Sequence, residues 1–328
     1  MKKRILVTGA NGFVGSHLVE GLLAHSYQVQ CLVRRTGDLS HIQHLPVELA
    51  YADMRDAASL RQACKNLHAV CHCAALTRAL DEEAFFRVNA YGTEALAKAC
   101  LEANPNLQRF LFLSSQAASG PSSSADDYLD ETRPPQPISW YGNSKLAAEQ
   151  ALSAMTDKLP LTIVRPCAVY GPRDRDFFAY FDLVRRRLSL QLGRDGRRIS
   201  LIYVLDLVKL LILALQSENA LGQTYFGCAE DHSYVEFSDA IAQALGERTL
   251  QITIPKVALE PMALWAKIQS RIAGEPSLLN EQRIGDMRQR FWLCSGKKAQ
   301  RELGFSPEYK FESAVRETTT WYLDNGWL

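Results

Sequence analysis

The sequence predicts an α/β protein: a doubly wound parallel sheet covered by helices, joined to a smaller, partly helical C-terminal lobe. Three observations carry this. Short continuous apolar runs alternate with longer helical patterns through the first half of the chain, as a sheet buried on both faces requires. A glycine-rich turn, Thr8-Gly9-Ala10-Asn11-Gly12-Phe13-Val14-Gly15, follows the first of those runs and opens the first helical pattern. The length of 328 residues leaves room for a second unit after the alternation stops.

Taken in order, residues 5–7 are the first strand and 12–24 the helix after it. Residues 29–33 and 47–50 read as the second and third strands, followed by Asp53 and a helix over 57–64. A fourth strand is predicted at 69–73, a long Ala- and Leu-rich helix at 84–103, and a fifth strand at 110–113 ending in Ser114-Ser115. The pattern then breaks. Residues 116–140 are rich in Ser, Pro and Asp and predict a long surface loop, a kind of segment that is usually functional or mobile. Helix resumes over 141–156, and 161–164 is a sixth strand stopped by Pro166. Beyond Gly171 the alternation is irregular, with two apparent returns to the sheet at 201–204 and 224–226. The expected division is therefore a first domain over 1–170 with returns near 200–228, a second lobe over 171–200 and 229–310, and a C-terminal helix over 311–328.

Composition excludes several classes. Hydrophobic residues at 47% and charged residues at 22% rule out a disordered, collagenous or coiled-coil chain. The 37 basic residues barely exceed the 36 acidic ones, which argues against nucleic-acid binding. The most apolar stretch, 201–215, is interrupted by Asp206 and Lys209, so no membrane span is expected. Only Ile5-Leu6-Val7 separates the basic start from Thr8-Gly9, too short a core for a signal peptide. The eight cysteines form no CxxC pair and no zinc-ligand spacing. Cys71-His72-Cys73 lies in a strand-like run and reads as core, so no metal is expected and a reducing cytoplasm is. The basic stretch Arg185-Arg186-Arg187 with Arg194, Arg197 and Arg198 reads first as a solvated face, and second as a meeting point for an anionic substrate. In the second lobe Met262, Leu264, Trp265, Ile268 and Ile272 make an apolar stripe, read as core or as the wall of an apolar pocket.

The glycine spacing has a direct chemical meaning. It permits a tight turn, a close approach of backbone to a pyrophosphate, and close helix-on-strand packing, while the helix N-terminus offers free N–H groups. That is the dinucleotide-binding arrangement of a Rossmann fold. Two further motifs follow at fixed places: Ser115 at the carboxyl end of the fifth strand, and Tyr141-Gly142-Asn143-Ser144-Lys145 on the next helix. Tyr141 and Lys145 are one helical turn apart, so they share a face, and an ammonium beside a phenol stabilises the phenolate.

With His72-Cys73-Ala74-Ala75, Val88-Asn89-Ala90-Tyr91-Gly92-Thr93, Arg165-Pro166-Cys167-Ala168-Val169-Tyr170-Gly171-Pro172 and Glu302-Leu303-Gly304-Phe305-Ser306-Pro307, the chain resembles the extended short-chain dehydrogenase/reductases, the NAD-dependent epimerase/dehydratase family. The resemblance spans nearly the whole chain. It implies catalytic roles for Ser115, Tyr141 and Lys145, Lys145 also bonding the nicotinamide ribose. It implies a cofactor site at Gly9, Asn11, Gly12, Phe13, Val14, Gly15, Ala74, Ala75, Asn89, Pro166 and Val169, with Asp53-Met54 beside the adenine. Family members typically carry a Ser or Thr five residues before the glycine that closes this motif, so the resemblance, counted back from Gly120, selects Ser115 rather than Ser114, which points the other way along the strand. It also implies a homodimer through the helices 84–103 and 141–156. Ala95, Ala99 and Glu102 would share one side, beside Leu96 and Cys100, and would face Leu146, Ala147, Gln150, Ala151 and Ala154.

The second strand ends in Val33-Arg34-Arg35-Thr36, where NAD-binding members carry an acid. Guanidinium groups cannot accept ribose hydroxyl bonds but can clamp a 2′-phosphate, so NADP is expected, with NAD as the alternative. The leading functional expectation is an NAD(P)-dependent oxidoreductase acting on a small-molecule secondary alcohol or ketone. A sugar-nucleotide epimerase or dehydratase is the second. Against it, Gln116-Ala117 follow Ser115 where a dehydratase wants an acid pair. Ala168 replaces a common Asn, and Arg198-Ile199-Ser200 lacks the usual Arg-Asp. A cofactor-sensing protein without turnover is the third, and the intact Ser/Tyr/Lys set counts against it.

Overall fold

Seven parallel strands make the central sheet of the computed structural model, which describes residues 3–193, 196–258, 261, 285–286 and 288–328. They are β1 (Arg4–Thr8), β2 (Gln28–Val33), β3 (Glu48–Tyr51), β4 (Ala69–His72), β5 (Arg109–Leu113), β6 (Leu161–Pro166) and, much later in the chain, β10 (Thr224–Gly227). Their order, β10-β6-β5-β4-β1-β2-β3, reverses direction between β1 and β4. That is the switch point at which open α/β sheets bind ligands. Across it Thr8 sits in register with His72.

Residues alternate between the two faces of β1. Ile5 and Val7 pack with Leu18 and Leu22 of α1 (Phe13–Ala24) and with Leu207 and Leu211 of a later helix, Val204–Gln216. Leu6 enters the opposite core with Leu60 of α2 (Ala57–Ala63), Leu96 of α4 (Gly92–Ala103) and Leu152 of α5 (Trp140–Ser153). Burying each such side chain stabilises the fold by roughly 1.5–3 kcal/mol, so both faces must be covered.

The long helix expected over 84–103 begins earlier and is not uniform. A single turn, α3 (Glu82–Phe85), leads into a wide turn at Phe86–Tyr91 before α4. Asn89 stands in that wide turn and clamps the backbone of Leu76, accepting from its N–H at 2.7 Å and donating to its carbonyl at 2.9 Å. Wider turns inside helices recur at functional sites.

Two other expectations are corrected. Residues 201–204 do not return to the central sheet. Residues 201–203 belong to β9 (Arg198–Tyr203), which pairs with β7 (Ala168–Tyr170), β11 (Glu230–Ser233) and β13 (Phe291–Trp292) in a separate sheet, and Val204 opens the helix that follows. The free edge of β6 is already taken by β10, with Thr224 opposite Ile163, and β9 joins β7 instead. Residues 116–140 are not simply a surface loop. Ser122 and Leu129 bridge to Phe291 and Cys294, and Gln116, Ala118, Ser122 and Leu129 are buried. The Ser122 N–H donates to the Phe291 carbonyl and the Leu129 N–H to the Leu293 carbonyl, while Gln116 and Ala118 bond within their own turn.

β8 (Leu188–Leu192) and β12 (Leu250–Ile254) form a small parallel pair of their own. The rest of this layer is held by an aromatic core in which Tyr170 and Phe237 meet edge to face at 5.7 Å, with Phe181, Tyr203, Phe311 and Tyr322 around them. Of the apolar stripe, Met262, Leu264, Trp265, Ile268 and Ile272 lie outside the described residues, as does Arg194. The other arginines of the basic stretch are dispersed. Arg186 pairs with Asp182, Arg187 with Glu247 and Arg198 with Asp231, while Arg197 is buried and donates to the Gln289 carbonyl. No described helix is long and apolar enough to cross a membrane.

Candidate active site

Gly9, Arg34, Arg35, Ala74, Ala75, Ser115 and Pro166 stand at the carboxyl ends of β1, β2, β4, β5 and β6, on one edge of the sheet because every strand runs the same way. At the end of β1 the chain turns through Gly9, whose φ of +65° is a left-handed conformation. A Cβ there would lie 2.7 Å from the backbone nitrogen of Ala74. At Gly15 a Cβ would lie 2.0 Å from the Gly9 carbonyl oxygen. These positions admit no side chain, so the backbone of β1, the start of α1 and the Ala74-Ala75 segment close into one bare cradle. Such a cradle at a helix N-terminus fits a dinucleotide pyrophosphate. Phe13 and Val14 begin α1 half-buried and pack toward the aromatic core. The Asn11 amide donates to the Asp38 carbonyl at 2.9 Å and closes the turn against the segment after β2.

Arg34 and Arg35 leave the end of β2 exposed, and neither takes part in an ion pair among the described residues. The Arg35 guanidinium lies 5.2 Å from the centre of the Tyr51 ring. Asp53 accepts from the Arg55 side chain at 2.9 and 2.7 Å, and those bonds hold its carboxyl down at about 2. Met54 packs beside Gly92 at the start of α4.

On the other side of the switch point the catalytic candidates come together on two neighbouring elements. Gly142 allows α5 to press on the turn after β5: a Cβ there would be 2.3 Å from the Ala117 carbonyl oxygen. This contact sets Tyr141, at the start of α5, beside the segment that carries Ser115. Ser139 caps the helix by accepting from the Gly142 N–H at 3.2 Å. One turn further, Lys145 is buried and donates through Nζ to the Leu113 carbonyl at 2.6 Å, with its ammonium 4.2 Å from the centre of the Phe112 ring. Burial brings its pKa down to about 8, although the neighbouring Glu149 carboxylate acts in the opposite sense. Tyr141 is half-buried, its ring 6.2 Å from that of Phe85. The Ser115 hydroxyl accepts from the Ala117 N–H at 3.1 Å, and the residue is only half-buried.

Several functional supports escape the sequence reading. The Ser114 hydroxyl donates to Glu149, away from Ser115. Glu149 in turn takes a two-pronged bond from Arg165, Nε at 2.9 Å and Nη2 at 2.5 Å, and all three residues are buried. Arg165 also donates to the Ser119 hydroxyl at 3.0 Å. This chain of bonds ties the end of β5, the helix bearing Tyr141 and Lys145, and the end of β6 to one another. The available signal was spacing, since Tyr141, Lys145 and Glu149 recur every four residues on one helix face.

His72 is the second support. Its Nδ1 lies 2.6 Å from Thr8 Oγ1 and its Nε2 2.7 Å from Thr93 Oγ1, which bridges β1, β4 and α4. Burial, and then the charge of Lys145, push its pKa down to about 3, so the ring is neutral. Asn89 donates to the Ser144 hydroxyl at 3.0 Å as well as clamping Leu76, so its amide is occupied in shaping the loop after β4. Pro166 ends β6 buried, and Val169 packs half-buried between two cores.

This geometry agrees with what the chain is similar to. The family model described as the NAD dependent epimerase/dehydratase family matches residues 5–226. A protein of Caulobacter vibrioides named ceramide reductase is 28% identical, over 99% of this chain and 96% of that protein. A 3 beta-hydroxysteroid dehydrogenase/Delta 5-->4-isomerase of Mycobacterium tuberculosis is also 28% identical, over 98% of this chain and 90% of its own length. Among solved structures, the UDP-glucose 4-epimerase of Thermus thermophilus in complex with NAD superimposes with a TM-score of 0.79 at 26% identity, covering 98% of this chain and 99% of that one. The Gly9–Gly15 cradle at the switch point of a seven-stranded parallel sheet, with the Ser, Tyr and Lys motifs beyond it, places this chain in the NAD-dependent epimerase/dehydratase family, a family of nicotinamide-dependent enzymes with a Rossmann-like fold.

Proposed function

We propose that the protein is an NADP(H)-dependent oxidoreductase acting on a secondary alcohol or ketone, with Ser115, Tyr141 and Lys145 as its catalytic set. The observation that carries this reading is the fixing of Lys145 on the Leu113 carbonyl, one turn from Tyr141 and at the end of the strand that leads to Ser115. When bound, the dinucleotide supplies or accepts a hydride. Tyr141 delivers a proton to the substrate oxygen in reduction and removes it in oxidation. Ser115 donates to the same oxygen and stabilises the alkoxide as it develops. Lys145, dry and cationic, lowers the cost of the phenolate, and the Leu113 carbonyl keeps its ammonium in place. The cradle of Gly9, Gly12 and Gly15, with Asn11, Phe13, Val14, Ala74, Ala75, Asp53, Met54, Asn89, Pro166 and Val169 around it, would hold the dinucleotide.

A simple alcohol/ketone reaction is preferred over nucleotide-sugar dehydration because the residues after Ser115 are Gln116, which is buried, and Ala117, neither of them an acid. The nearby carboxylate, Glu149, is committed to Arg165. The names of the Caulobacter and Mycobacterium relatives, a reductase and a dehydrogenase, support the same reading. Mass spectrometry of small molecules released from the freshly purified protein tests it. A nicotinamide dinucleotide without any nucleotide-sugar is expected, and a retained nucleotide-sugar would overturn the assignment. A reducing, cytoplasmic setting is part of the proposal, in keeping with eight free thiols.

Arg34 and Arg35 are proposed to clamp the 2′-phosphate of NADP(H). Charge-assisted bonds contribute about 1.5–3 kcal/mol each, so an Arg34→Ala, Arg35→Ala double variant should bind NADPH tenfold or more weakly, with NADH binding little changed. Fluorescence titration of both dinucleotides checks this. Equal wild-type affinities for the two would contradict it.

Assembly as a homodimer is proposed through the outer faces of α4 and α5. The stripe differs in part from the expected one: Leu96, Ala99 and Cys100 turn into the core, while Lys98 and Glu102 are exposed and Ala95 is half-buried. On α5, Leu146, Ala147 and Ala151 are half-buried and Gln150 is exposed, as is Ala154 just past its end. An Ala151→Arg substitution sets like charges near a two-fold axis and should split the dimer. Sedimentation equilibrium decides it, and a wild type running at the single-chain mass of 36.7 kDa at high concentration would refute the dimer.

A further inference from the structure

We propose that Cys167, Cys228 and Cys294 bind one zinc ion through three thiolates, with water in the fourth position, and so tie the central sheet to the second sheet. No pair of these cysteines is near in sequence, yet their three sulfurs lie within 4.8 Å of one another. Cys167 follows β6, Cys228 follows β10 and Cys294 follows β13. Two of the carriers therefore extend neighbouring strands of one sheet and the third extends a strand of the other. All three side chains are buried, at 6%, 6% and 1% exposure.

Zinc–thiolate bonds of about 2.3 Å in a tetrahedral arrangement put sulfurs about 3.8 Å apart, so these thiols need only a small closing movement to share an ion. Their backbones are already fixed. Cys167 N–H donates to the Gly227 carbonyl at 3.0 Å, and Ser295 N–H donates to the Leu129 carbonyl at 2.8 Å. Gly296 leaves no room for a side chain, since a Cβ there would be 2.7 Å from the Cys228 carbonyl oxygen. Ser200, on β9, accepts from the Cys294 N–H at 3.1 Å, and its hydroxyl also reaches the sulfurs of Cys228 and Cys294. A donor bonded to ligating sulfur is a common support of thiolate sites.

The charge pattern favours a cation over a nucleophile. The Cys228 thiol lies among the other two thiols, and the charged group near it is the Asp231 carboxylate. Reactive thiolates sit beside Lys, Arg or protonated His. Here the partners of the thiolate are other thiols, and an ion with two positive charges is the counter-charge that such a cluster accepts. Binding displaces the thiol protons to solvent and leaves three zinc–sulfur bonds, with no change of oxidation state.

Elemental analysis of the full-length protein, purified without chelator or metal-affinity steps and reconstituted with zinc sulfate, tests the proposal. About one zinc per chain should survive desalting, and Cys228→Ala and Cys294→Ser should each retain almost none. Cys31→Ala, which removes a buried thiol elsewhere in the core, should retain it in full. Cobalt in place of zinc gives a readout on the wild type that needs no variant: intense near-ultraviolet sulfur-to-cobalt bands are expected. Absence of those bands, zinc retained undiminished by the Cys228 and Cys294 variants, or a disulfide between any two of the three cysteines in the protein as purified would each overturn the proposal.

Discussion

Tyr141→Phe is expected to lower turnover by about 10²–10⁴-fold while dinucleotide binding stays within a few-fold of wild type. The phenol is the one group in the proposed set that moves a proton, and removing it leaves a ring that still packs against Phe85. Lys145 keeps its bond to the Leu113 carbonyl in the variant, because that bond does not involve Tyr141. Steady-state assays of the variant, paired with dinucleotide titration, separate the two effects. Near-normal turnover with intact binding would remove Tyr141 from the mechanism.

Glu149→Ala is expected to destabilise the fold by about 3–5 kcal/mol, the usual cost of leaving a buried guanidinium without its carboxylate. Arg165 is buried and bonds Glu149 through two nitrogens, so the orphaned charge has no ready route to water. Ser114 loses its acceptor in the same substitution. A Glu149→Leu, Arg165→Met double variant removes both charges and should recover much of the loss, because apolar side chains of similar volume suit the same space. Urea unfolding of both variants measures this. A single variant within about 0.5 kcal/mol of wild type would mean that the pair contributes nothing to the folded state.

What could be read from the sequence was what local spacing encodes. The strand–glycine–helix start, the six strands of the first half and the Tyr141/Lys145 face depend on residues within a turn or two of one another. The choice of Ser115 over Ser114 rested on the family's spacing of that serine from its glycine, and the Ser114 hydroxyl donates instead to Glu149. What escaped depends on distant pairs. Arg165 meets Glu149 only because β6 passes α5, and residues 201–203 join a second sheet because β10 already fills the edge of β6. The three clustered cysteines have no spacing motif, since three different strands deliver them. The wide turn at Phe86–Tyr91 was equally hidden, because its Asn89 bonds to Leu76, thirteen residues back. In the loop over 116–140, composition spoke for solvent, but bridges to Phe291 and Cys294 supply the backbone partners.

The central claim is that the Ser115, Tyr141 and Lys145 site carries out net oxidation and reduction of a secondary alcohol or ketone. The most direct measurement follows the nicotinamide absorbance of excess NADPH while the protein is presented with a panel of ketones, alongside nucleotide-sugars with NAD. The account predicts one NADPH oxidised for each alcohol formed, with activity lost in Tyr141→Phe. Turnover of a nucleotide-sugar with no net change in the nicotinamide, and no ketone reduced, would contradict it.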